Sequence, residues 1–145
     1  MKSSQISAQI RQRDAQIDDV QAQIDRVRQQ ISDLGEFRQR HQTATTQVDQ
    51  DLTARRAQVN GAAIDATRVR SFARYQEAMI GILNDGYAYL TTRNEEALAI
   101  GRAIYRKQEE LDGLLRDRGN LQLAMTELQD DLRAAKAAEA AATKY

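Results

Sequence analysis

The sequence has no cysteine, no proline and no tryptophan, a single histidine, and seven glycines in 145 residues. Without cysteine there is no disulfide scaffold, no thiol nucleophile and no thiolate metal site. Without proline nothing covalent interrupts a helix. Net charge is missing as well, since 21 Lys plus Arg stand against 21 Asp plus Glu. That balance removes the bulk electrostatic drive toward nucleic acid or anionic lipid. No stretch approaches the roughly 20 apolar residues of a membrane span, and the N-terminus lacks the apolar run of a signal peptide. The expectation is a cytoplasmic protein with no membrane insertion and no nucleic-acid partner.

Bulky apolar side chains are also scarce. Of the 41% hydrophobic residues, 23 are Ala, and Leu, Ile, Val and Phe together number 29. A thick globular core is excluded on that supply, and disorder, which needs a high net charge, is excluded by the balance. What is present is periodicity. Ile10, Ile17, Val20, Ile24, Val27, Ile31 and Leu34 alternate steps of three and four with only Arg13 breaking the series, which is a heptad seam. The phase continues through His41, Val48, Leu52 and Val59, with Arg38, Thr45 and Arg55 in core slots.

At Asn60-Gly61 the series stops, and Asp65 is a candidate N-cap. A second series runs Val69, Phe72, Met79, Leu83, Tyr87, Leu90, Ala97, Ile104, Leu111 and Leu115, with Gln76, Asn94, Gly101 and Gln108 as weak members. After a slip near Arg118 it resumes as Leu121, Met125, Leu128 and Leu132. One exposed helix cannot keep such a seam dry, so the two face each other. The predicted fold is all-α, a single long antiparallel two-helix coiled-coil hairpin: helix one about 4–59, turn about 60–64, helix two about 65–140. The arms would be roughly 80 Å and 110 Å long. A rival topology breaks helix two at the turn tripeptide Asn84-Asp85-Gly86, although the seam passes through it at helical spacing.

A turn at 61–63 would set Leu52 against Phe72, Leu34 against Leu90 and Ile10 against Leu114. Residues beyond about Gly119 would then have no partner within the chain, so the stripe Leu121, Met125, Leu128, Leu132 becomes a candidate binding surface. The chemistry of catalysis is thin. His41 has no second imidazole to join it, and pairs such as Glu95-Glu96 and Asp130-Asp131 point about 100° apart on a helix. No phosphate-binding glycine loop and no zinc-protease motif occurs. The expectation is no enzyme, no metal and no cofactor. Phe72 and Tyr87 suit the seam, whereas Tyr75 and Tyr89 lie off it and read as contacts for another protein.

From Ala63 to Leu115 the chain resembles the central stalk of bacterial type III export, the FliJ/YscO type of flagella and injectisomes, itself similar to the coiled-coil part of a rotary-ATPase gamma subunit. The resemblance is carried by Arg68, Phe72, Tyr75 and Met79, then Leu90, Arg106, Lys107 and Leu111. On helix one, Gln30, Leu34, Phe37 and His41 follow the spacing of a Gln, Leu, aromatic, aromatic series that touches the export gate in the flagellar stalk. His41 stands where that series has a tyrosine, and Gly86 where the family's patch has a larger side chain. The resemblance implies a protein peripheral to the export apparatus, its termini in a hexameric export ATPase and its hairpin end on the membrane export-gate protein, with export chaperones as further partners. It implies a gate patch of Leu34, Phe37, Tyr75, Met79 and Ile82, and gives the stripe from Leu121 to Leu132 the ATPase as its second molecule. Two other classes compete: a helical hairpin partner of a secreted toxin, of the type VII kind, and a structural coil of a phage or scaffold. The first often carries Trp-x-Gly at its turn, and Val59-Asn60-Gly61 lacks the tryptophan.

Overall fold

The protein is seen in a computed structural model that describes residues 2–63 and 70–144. It consists of two helices, α1 (Ser3–Ala63) and α2 (Arg70–Ala142), packed antiparallel as a hairpin, with no strand among the described residues. The start of α1 is capped by short-range bonds: the Lys2 carbonyl accepts from the Gln5 and Ile6 amides, while Gln5 Oε1 accepts from the Lys2 amide. The latter is the backward half of a capping box. The expected N-cap at Asp65 and the seam residue Val69 lie outside the described residues, as does the side chain of Phe72.

One boundary differs from the expectation. Asn60 and Gly61 are helical and α1 continues to Ala63, so no turn begins at Asn60-Gly61; residue 64 of the expected turn lies outside the described residues. Packing outweighs the turn chemistry here. Val59 is buried in one core with Leu52, Leu83 and Leu90, against which Val48, Met79 and Tyr87 also pack. That burial needs the helix to run past the Asn-Gly pair, whose intrinsic cost in a helix is only about 1 kcal/mol. Helix two is continuous as expected: α2 passes unbroken through Asn84, Asp85 and Gly86, and the rival topology does not occur.

The chain forms two compact units. One contains Met1–Ser32 with Tyr105–Tyr145, and the other Asp33–Ile104. In the second unit, Gly86 sits against Leu52: a Cβ built on Gly86 would come 2.5 Å from Leu52 Cδ2. His41 Nε2 lies 3.1 Å from Glu96 Oε2. In the first, Arg118 Nη1 donates to Gln21 Oε1 at 2.8 Å, and Ser3 pairs with Glu139. The pairings of Leu52, His41 and Gln21 lie about fourteen residues, or four turns, further along α2 than a turn at residues 61–63 requires, and that of Ser3 about a turn further still. Fourteen residues is two heptads. A shift of that size leaves both seams facing each other, which is why periodicity alone is blind to it.

The seam of α1 has the expected phase and begins earlier, at the buried Ile6. Thr45, in a core slot, satisfies its hydroxyl by donating to the His41 carbonyl at 2.8 Å. On α2 one of the two core positions is as expected, with Leu83, Leu90 and Ile104 buried. The other is one residue earlier than expected. Ile100 is buried and Arg93 and Lys107 are half-buried, whereas Asn94 and Gln108 are exposed. With that correction the alternation of three and four holds through Leu111, Leu114, Arg118, Leu121 and Met125, and no slip is needed at Arg118.

Candidate partner-binding surface

With the register established, the nine candidate contact residues fall into three groups. The first is the stripe from Leu121 to Leu132, which the structure does not leave over. Met125 is buried, and Leu121, Leu128 and Leu132 are half-buried. Leu128 shares a groove with Gln9, Gln12 and Arg13 of α1, and Leu121 shares one with Arg13, Gln16 and Val20. The expected unpaired overhang is therefore corrected: α1 covers this stretch because the helices pair two heptads further along. These four residues belong to the internal seam.

The second group is Leu34 and Phe37, and the third is Tyr75, Met79 and Ile82. They were expected to form one patch. Phe37 lies about four turns from the level of Leu52 and Gly86 on one side, and Tyr75 about three turns on the other, so roughly 40 Å of helix separates them. The register again is the reason. Leu34 is half-buried in the seam, and Met79 packs against the core of Leu52, Val59, Leu83 and Leu90. That leaves Phe37, Tyr75 and Ile82 as outward-facing members, 54%, 56% and 52% exposed.

Three exposed apolar residues of the second unit went unnamed in the sequence pattern or were only half noticed: Ile80, Tyr89 and Leu98. Tyr89 was visible as an off-seam aromatic. Ile82 and Tyr89 each precede a buried Leu by one position, which turns them about 100° away from the seam. Tyr75, Ile82 and Tyr89 are spaced by seven and so lie on one line along α2. In the first unit the exposed large apolar residues are Tyr105 and Leu123.

One polar network in the second unit links the two helices. His41 is buried on the seam, its imidazole facing the Glu96 carboxylate and the Phe37 ring, whose centroid is 6.4 Å away. Arg93 Nη1 reaches the same Glu96 oxygen at 3.4 Å, its Nε donates to the Tyr89 hydroxyl at 2.7 Å, and its guanidinium carbon lies 5.1 Å from the centre of that ring. The bond to Tyr89, with Glu96 adding to it, holds the Arg93 guanidinium above its ordinary range. This arrangement clamps the helices and fixes the Tyr89 ring. In the first unit, Glu139 accepts from the Ser3 amide at 2.9 Å and from Ser3 Oγ at 2.7 Å, which lowers its carboxyl below the usual range. A carboxylate at the end of α2 thus caps the start of α1.

Among the described residues no three His, Asp or Glu side chains gather as a metal would need, and no helix is long and apolar enough to cross a membrane. No family model, curated protein or solved structure matches the chain.

Proposed function

We propose that the chain is a non-enzymatic coiled-coil stalk that links a hexameric export ATPase to the membrane export gate in type III protein secretion. The observation that carries this reading is the line of Tyr75, Ile82 and Tyr89, large side chains held outward on a paired helix. They lie in the unit that includes the start of α2, where the resemblance to stalk proteins puts the gate contact. The ATPase contact falls to the other unit. Since Leu121, Met125, Leu128 and Leu132 are occupied by α1, the outward Leu123 is the side chain there that suits a second molecule.

The test is a pull-down with the hexameric ATPase and, separately, with the cytoplasmic part of the gate protein. Tyr75→Ala should weaken gate binding by roughly 1 to 3 kcal/mol and reduce export, with helicity unchanged. Leu123→Asp should weaken ATPase binding and leave gate binding alone. Binding to neither protein would sink the stalk and favour a module that pairs with a secreted protein or builds a scaffold.

A further inference from the structure

The line of Tyr75, Ile82 and Tyr89 is half of a larger pattern. Ala78 and Asp85 fall between its members, so Tyr75, Ala78, Ile82, Asp85 and Tyr89 alternate steps of three and four, the spacing of a second heptad seam. All five are exposed. Because Ile82 and Tyr89 directly precede the core residues Leu83 and Leu90, this seam is turned about 100° from the one α1 covers, close to the angle at a corner of a four-helix bundle. Gly81 lies beside it. A Cβ on Gly81 would meet nothing within 4 Å, so the chain's own packing does not call for glycine there, while glycine weakens a helix relative to alanine. Close approach of another helix would give the missing side chain a purpose.

We propose that this second seam takes the same seam of a second copy of the chain, antiparallel, about a two-fold axis next to Gly81, level with residue 80. The single acidic member selects the partner and the direction. In a parallel pair Asp85 would oppose its own copy, like charge on like charge. In the antiparallel pair with Ile82 against the other copy's Ala78, the two-fold falls level with residue 80, and each Gly81 lies one residue from it. Asp85 then lies level with Tyr75 and beside Arg74 of the other copy, whose guanidinium can satisfy its carboxylate. Arg74 and Asp85 are both exposed, and at eleven residues apart on one helix they are about three turns from each other, too far to pair within a chain. Sliding by one heptad would instead set Asp85 against Ile82 and bury a charge without a partner. The two-fold makes both favourable contacts occur twice, as self-complementary interfaces do.

This line is also the gate contact proposed above, so dimer and gate complex exclude each other. The mass measurement involves no gate protein and fails or succeeds independently of the export reading. Sedimentation equilibrium of the full chain over a range of concentrations should show a species of twice 16.4 kDa. Ile82→Asp, at an exposed position, should weaken association by at least about thirtyfold with the circular dichroism unchanged. Arg74→Asp and Asp85→Arg should each weaken it by about tenfold or more, and the two together should restore it. A monomer at every concentration overturns the proposal. So does a dimer that tolerates Ile82→Asp, or a double charge variant that associates no better than the single ones, which would point to a different face or to a partner helix from another protein.

Discussion

In the unit made of Met1–Ser32 and Tyr105–Tyr145, the bulky apolar residues among those described are turned almost wholly inward, with Ile24 fully buried and Tyr105 and Leu123 left outside. In the unit made of Asp33–Ile104, six large apolar side chains among the described residues remain exposed, although it too has a buried core, of Leu52, Val59, Leu83 and Leu90. The first unit locks its register with polar links at the seam edge, Gln21 to Arg118 and Ser3 to Glu139. The second does so by shape, with Leu52 entering the space that Gly86 leaves. The same kind of sequence, a heptad seam with few bulky residues, is thus used for self-pairing in one unit and for self-pairing plus display in the other. Display is what a partner can read, so function is expected where apolar surface is left over after folding.

The sharpest way to break this comparison is to test neighbours that should behave oppositely. Ile24→Ala and Leu83→Ala remove fully used core side chains, one in each unit, and each should cost about 2 to 5 kcal/mol in denaturant unfolding. Ile82→Ala, one position from Leu83, should change stability by no more than about 0.5 kcal/mol when both proteins are unfolded at concentrations where the chain is a monomer. Equal losses at Ile82 and Leu83 would mean that the line of Tyr75, Ile82 and Tyr89 is core. In the first unit, Met125→Asp should destabilise severely, because its neighbours on the seam are covered by α1.

The faces of the helices were legible in the sequence and their register was not. Three-and-four spacing identified the buried side of α1 almost residue by residue, including His41, and marked Tyr75 and Tyr89 as lying off the seam. The alignment was then tied to Asn60-Gly61, a local signal that the burial of Val59 overrides. A two-heptad error keeps every apolar residue opposite an apolar residue, so nothing in the pattern could object. The apparent overhang at Leu121 to Leu132 and the apparent union of Phe37 with Tyr75 were both products of that one displacement. Gly86 was the available clue. Read as a turn former, it is instead the one glycine whose missing side chain admits a large residue from the facing helix.

Glycine substitutions sharpen the contrast at smaller scale. Alanine at Gly35 or Gly101 has open space and should stabilise by up to about 1 kcal/mol. Alanine at Gly86 must displace the Leu52 methyls, so the helical gain should be outweighed by about 1 to 3 kcal/mol of overpacking. The smallest expected effect concerns the cap at Glu139. Its carboxyl is held below the ordinary range by Ser3, so its contribution is fully present above that range and is lost as pH falls through the depressed value. Thermal melts of the wild type and Glu139→Gln should therefore differ slightly at neutral pH and converge in acid.

The register itself can be measured in a chain that has no cysteine of its own. Paired substitutions Leu52→Cys with Gly86→Cys, and Leu34→Cys with Leu90→Cys, can be oxidised at high dilution and scored for bonds within one chain, which need Cα atoms within about 7 Å. The first pair should close readily and the second should stay open. Closure of Leu34 with Leu90, and failure of Leu52 with Gly86, would restore the turn at Asn60-Gly61, leave Leu121 to Leu132 without a partner in the chain and contradict the pairing from which the exposed seam is derived.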